Sequence, residues 1–202
     1  MDVRGFIHDS LKKLEILGID AVNAESTLIK TIFSMPADML GDMEEKEILD
    51  LILDNLGMGV RDEETGALFC VSGQIYTFDM EVSDIERMYT DFLEGLSKLV
   101  KDDFTFTDIE EDVSNVDFAS GTGVQTIRFR CNHKACRYDA KAEYDWFDTG
   151  MLAYVNQVIR ECGTGKCLYV TSDGWQNCIL FYQTGEWARR FQELFGVVLE
   201  MA

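Results

Sequence analysis

The chain has 202 residues, 47% of them hydrophobic and 11% aromatic, enough for one large packed domain or two small ones and too apolar for a disordered acidic tail. Its 37 Asp and Glu against 18 Lys and Arg give a formal charge of −19, a field that repels nucleic-acid phosphates and anionic membrane surfaces and attracts basic partners. Direct binding to DNA or RNA is thereby disfavoured, and no run approaches the roughly 18 apolar residues that would span a bilayer.

The opening "MDVRGFIHDSLKKLEILG" lacks the uninterrupted apolar stretch and small-residue cleavage site of a signal peptide. It reads as an amphipathic helix over Val3–Leu17, with Ile7, Leu11 and Leu14 inward, and a cytoplasmic protein is expected. A second helix carries Leu28, Ile29, Ile32 and Phe33 and stops before Pro36, the only proline. A third, over residues 43–56, buries Ile48, Leu49, Ile52 and Leu56 and is followed by Gly57. "RDEETG" at 61–66 is a solvated turn. Strands Ala67–Val71 and Gln74–Asp79 then read as a hairpin across Ser72–Gly73.

Val82–Leu99 is the clearest helix, with Ile85, Met88, Phe92, Leu96 and Leu99 on one stripe and Asp84, Arg87, Asp91 and Glu94 opposite. "FTFTDI" at 104–109 alternates like a strand. The acidic, then glycine-rich "EEDVSNVDFASGTG" at 110–123 reads as a long connection, which sets a boundary between halves 1–115 and 116–202 of one compact domain or two. Ile127 and Phe129 alternate with Arg128 and Arg130. Beyond the turn, Cys136, Tyr138, Ala140, Ala142 and Tyr144 alternate with Arg137, Asp139, Lys141 and Glu143, the pattern of a half-buried antiparallel sheet. A helix over about 149–162 points Leu152, Val155, Ile159 and Cys162 inward. Strands Lys166–Thr171 and Asn177–Tyr182 flank "SDGWQ", a last helix carries Trp187, Phe191, Leu194 and Phe195, and "VVLE" follows. The fold class is therefore α+β, antiparallel sheets with packed helices. The order helix, strand, strand, helix, strand fits both 43–109 and 149–200 and allows a pseudo-repeat.

"CNHKAC" at 131–136 and "CGTGKC" at 162–167 raise the question of metal or redox chemistry. Four thiols, Cys131, Cys136, Cys162 and Cys167, would be the ligands of any zinc site, but the C-x₄-C spacing lies at the edge of the zinc-knuckle pattern. With "NHKA" as a four-residue loop, Cys131 and Cys136 fall directly opposite each other with both thiols toward the core, where cysteine acts as a small hydrophobe. Cys70 and Cys178, also on strands, fit that use. Reduced, buried thiols, no metal and no cofactor are the expectation.

Catalytic signatures are wanting. "GTGK" at 163–166 lacks the earlier glycine of a phosphate loop, Arg160 standing in its place, and it leads from helix to strand rather than the reverse. The two histidines, His8 and His133, stand beside no G-x-S-x-G turn. In "DWFD" Asp148 suits a helix cap while Trp146 or Phe147 plugs the core. Trp175, in the turn "SDGWQN", either folds back onto the core, the commoner arrangement, or is offered to a partner. Ringed by Asp173, Asp145 and Asp148, it has the composition of a hot spot for a basic protein.

The stretch 124–200, with "EYDWFDTGMLAYVNQVI" and "CLYVTSDGWQNCILFYQTGEWARRFQELFG", resembles bacterial immunity proteins that neutralise cognate toxins. The resemblance covers under half the chain and carries over no functional residue. It implies a small, acidic, non-catalytic protein-binding module, an immunity or inhibitor protein for a basic partner such as a toxic nuclease. Three alternatives stay open: a DNA-mimic inhibitor whose carboxylates imitate phosphates, a small-molecule binder or enzyme with an unrecognised site between the halves, and a component of a larger assembly.

Overall fold

The structure, a computed structural model, describes residues 1–21, 23–58, 60–61, 68–69, 72–82 and 84–202, with the backbone alone at 60–61 and 68–69. Its centre is a four-stranded antiparallel sheet in the order β3 (Tyr76–Asp79), β8 (Asn177–Gln183), β7 (Cys167–Ser172), β9 (Glu200–Met201). Strand β8 is apolar on both faces, and each face closes a different core. Ile179 and Phe181 pack under helices α1 (Val3–Ile16), α2 (Glu25–Ile32), α4 (Glu45–Gly57) and α7 (Gly185–Phe195). Cys178, Leu180 and Tyr182 face the other way, onto α5 (Met88–Leu99), α6 (Gly150–Glu161) and a second sheet of β4 (Phe106–Asp117), β5 (Thr122–Cys131) and β6 (Lys134–Glu143).

Local chemistry sets the helix ends. Glu44 and Glu47 form a capping box at the start of α4, and Thr184 accepts from the Trp187 amide at the start of α7, which ends on left-handed Gly196. A short helix α3 (Ala37–Asp42), absent from the sequence reading, starts after Pro36, whose fixed φ suits a helix entry. On β6 the expected alternation holds: Cys136 and Ala140 are buried, Tyr138 and Ala142 half-buried, and Arg137, Asp139 and Lys141 exposed.

Several expectations need correction. Tyr76–Asp79 pairs with β8, and Leu68–Phe69 (β2) pairs with Val60–Arg61 (β1), so these two strands are not each other's hairpin partners. The turn 62–66 and Cys70 lie outside the described residues. The 82–99 helix opens with a 3₁₀ turn over Ile85–Arg87 before α5 begins. Residues 110–117, read as a connection, are strand: β4 continues to Asp117, with register shifts at Thr107/Glu110 and Asp112/Asn115. These bulges break the period of two that would have betrayed a strand. Residues 115 and 116, where the sequence divides the halves, are neighbours within β4, and β3 of the first half pairs with β8 of the second. The two runs of like element order also pair differently: β9 returns to β7, whereas β4 joins a separate sheet from β3.

Candidate binding surface

The loop between β7 and β8 is short and internally tied. Ser172 Oγ accepts from the Gly174 amide at 2.9 Å, and Asp173 Oδ1 accepts from the amides of Trp175 and Asn177 at 2.8 and 3.2 Å. Gly174 takes φ +83°, a backbone state open to glycine, so the chain turns sharply before the tryptophan. The result is a fixed tip on which Trp175 is 84% exposed. The indole has not folded back.

The segment after β3 lies against this tip, and the 144–148 loop lies against that segment. The Met80 amide donates to Gln176 O and the Phe147 amide to Met80 O, both at 2.8 Å, and the Val82 amide donates to Asp145 O at 2.8 Å. Phe147 is buried among Phe78, Tyr89 and Phe92, while Trp146 and Tyr144 beside it remain exposed. Phe118, also exposed, lines a crevice with Ile85, Val116, Tyr144 and Asp145. Gly121 makes this crevice possible, since a Cβ there would stand 2.2 Å from the Tyr144 ring.

Of the four residues singled out by sequence, Trp175 and Asp173 share the tip, and Asp145 sits one loop further on, joined to the tip through the Met80–Val82 segment. Asp148 is engaged inside the fold. Its Oδ2 accepts from Tyr138 Oη and the Lys141 amide, both at 3.0 Å, and its Oδ1 accepts from the Gly150 amide at 2.9 Å, bracketing the start of α6. The N-cap position of α6 is Thr149, which makes no side-chain cap bond, so Asp148 serves the helix start from one residue outside the cap expected of it.

The residues the sequence reading missed lie beneath the tip. Asp50 and Asp54 on α4 are only 2% and 6% exposed. Asp54 Oδ2 accepts from Asn177 Nδ2 at 3.2 Å, and the same amide group reaches Asp173 Oδ2 at 2.9 Å. Asp50 Oδ2 is paired with Lys46 Nζ at 2.6 Å. Burial, then the nearby charges of Asp173, Asp79 and Asp50, push the Asp54 carboxyl up to about 6. Burial also raises Asp50, against the pull of Lys46. Their one trace in the sequence is "ILDLILDNLG", where two aspartates four apart interrupt an otherwise apolar run.

The thiols correct the opening expectation in detail. The β5–β6 turn has two residues, Asn132 and His133, so Cys131 pairs with Lys134 and Cys136 with Phe129 rather than with each other. Asn132 takes φ +53°, and its side-chain oxygen accepts from the Thr105 amide at 3.0 Å, a use of asparagine that fixes the tight turn. Cys131, Cys136, Cys167 and Cys178 are buried, and Cys162, expected inward, is exposed at the end of α6. Burial pushes the Cys131 thiol up to about 12, which leaves it protonated and a poor nucleophile or ligand. Among the described residues no three His, Cys, Asp or Glu side chains gather as a metal site would require. No helix among them is long and apolar enough to cross a membrane.

Comparison with known proteins finds no matching family model, curated protein or solved structure.

Proposed function

We propose that the chain is a non-catalytic acidic module that binds a basic protein, in the manner of the immunity proteins its 124–200 segment resembles. The observation that carries this reading is Trp175, held 84% exposed on a hydrogen-bonded turn beside Asp173. Leaving an indole in water forgoes a large gain from burial, and a turn this well tied does not fluctuate freely. Such an arrangement suits a pre-organised anchor that fills a partner's pocket while the surrounding negative field speeds encounter.

The test is retention of a basic host protein on the immobilised chain, repeated with Trp175→Ala and at raised salt. Truncation is expected to cost about 2 kcal/mol of affinity, roughly 30-fold, while thermal stability stays within about a degree of wild type. Salt is expected to slow association chiefly. A melting drop of several degrees, or equal retention by the variant, removes Trp175 from the interface.

A further inference from the structure

Asp79 on β3, Asn177 on β8 and Asp173, just past the end of β7, form one row. Asp79 is the register partner of Asn177, and Asp173 lies across the tip of the β7–β8 hairpin from it, one step beyond the Ser172–Cys178 pair. All point to the α4 side of the sheet, the side of Ile179, and Asp54 lies beneath them, joined through the Asn177 amide. Asp79 is exposed and Asp173 half-buried, so solvent reaches the row while Asp54 does not reach solvent.

The floor is left unfinished. Asp54 Oδ1, Asp50 Oδ1 and Thr77 Oγ1 are buried with no hydrogen-bond partner. Thr77, 3% exposed, precedes Asp79 by two on the same face of β3, and its hydroxyl lies 2.5 Å from where a Cβ on Gly57 would stand, one helical turn after Asp54. Natural folds rarely leave buried acceptors unpaired, and an uncompensated buried carboxylate is costlier than a hydroxyl. The charged groups acting on Asp54 are Asp173 of the hairpin tip, Asp79 of β3 and Asp50 of α4, with Lys46 and Glu47 acting in turn on Asp50. Lys46 is the one cation among these groups, and it is taken by Asp50. The fold therefore carries an unfavourable charge arrangement that a bound cation would relieve.

We infer that the Asp79–Asn177–Asp173 row, backed by Asp54, is a preformed seat for the guanidinium of an arginine from the protein partner; this rests on the protein-binding reading above. Strands about 4.8 Å apart put the two outer carboxylates some 10 Å apart at their Cα atoms, a span suited to a planar fork that donates in two directions. A metal ion is disfavoured because the described carboxylates do not gather as a metal site would require. Trp175 is in the same turn as Asp173, so its indole reports on the seat.

The probe is N-acetyl-arginine amide, titrated into the full chain while the Asn177 side-chain amide and the Trp175 indole are followed by NMR. Saturable shifts are expected in a roughly millimolar range, with N-acetyl-lysine amide weaker. Asp54→Asn, which removes a charge without touching the ligand, is expected to weaken binding on the order of tenfold while raising the melting temperature. Asp38→Asn, an exposed carboxylate elsewhere, is expected to change nothing. Binding is also expected to weaken roughly fivefold one pH unit below about 6, where Asp54 is mostly protonated. Non-saturating shifts spread over the surface, equal affinity for lysine amide, saturation by calcium instead, or indifference to Asp54→Asn would each overturn the seat. A basic protein retained through Trp175 while the arginine probe fails removes the seat alone. A saturating probe with no Trp175-dependent retention removes the anchor reading instead.

Discussion

At the scale of single residues, Asp54 is a helix carboxyl carried into an environment its sequence context does not suggest. An ordinary carboxyl titrates near 3.8, and burial with Asp173, Asp79 and Asp50 around it moves Asp54 to about 6. Between those two values the folded state holds a proton that the unfolded chain has released. The group's contribution to stability is therefore best below about pH 4, falls as pH rises through this window, and stays at its least favourable above 6. Asp54→Asn removes that cost and keeps a polar side chain beside Asn177. Chemical denaturation is expected to find the variant about 2 kcal/mol more stable at neutral pH, with the difference vanishing toward pH 4. A pH-independent difference would mean that the carboxylate is not the source of the cost.

At the scale of elements, α5 and β3 meet through a glycine. The helix carries Gly95 against the ring of Tyr76, whose hydroxyl is held by Asp91 O at 3.3 Å, and a Cβ at position 95 would stand 2.1 Å from that ring. Helix propensity alone says that Gly95→Ala should stabilise by about 1 kcal/mol. Overpacking a pinned, buried ring costs about 1–3 kcal/mol, so the net expected outcome is a loss, read as a melting temperature a few degrees lower. An unchanged or higher melting temperature would show that the ring yields cheaply. Strand β4 illustrates the same competition between local and tertiary terms. Its acidic sequence argues against a strand, yet β5 pairs with it through two bulges, and Glu111 is turned inward to accept from the Thr90 amide and from Gln125.

At the scale of the molecule, both cores depend on β8. Ile179 and Phe181 belong to the helical core, where Phe181 packs on Trp187 with ring centroids 5.3 Å apart, while Cys178, Leu180 and Tyr182 belong to the other. A strand shared in this way couples the two clusters, since neither can lose it alone. Variants retaining only Trp187 or only Trp146 as fluorophore are expected to melt within about 2 °C of each other. Ile179→Ala, whose truncation touches the helical core, is expected to cost about 2–5 kcal/mol and lower both midpoints together. Two separated transitions would show that the halves melt as independent units.

The sequence by itself determined the α+β class, the amphipathic faces of α1, α4, α5, α6 and α7, the β5–β6 and β7–β8 hairpins and the buried face of β6. Each of these is a local matter of period, turn chemistry and end signals, and nearest neighbours along the chain suffice to specify it. Asp173 and Trp175 were legible as site candidates because both lie in one turn. Only the tertiary structure decided that β3 pairs with β8 across about a hundred residues of chain, and that the bulged, acidic β4 is a strand at all. Only it carried Asp50 and Asp54 under the hairpin tip, where two aspartates on a helix otherwise suit solvent. Strand partners and buried charge are set by contacts remote in sequence, whose energies outweigh local propensity and leave no periodic mark in the chain.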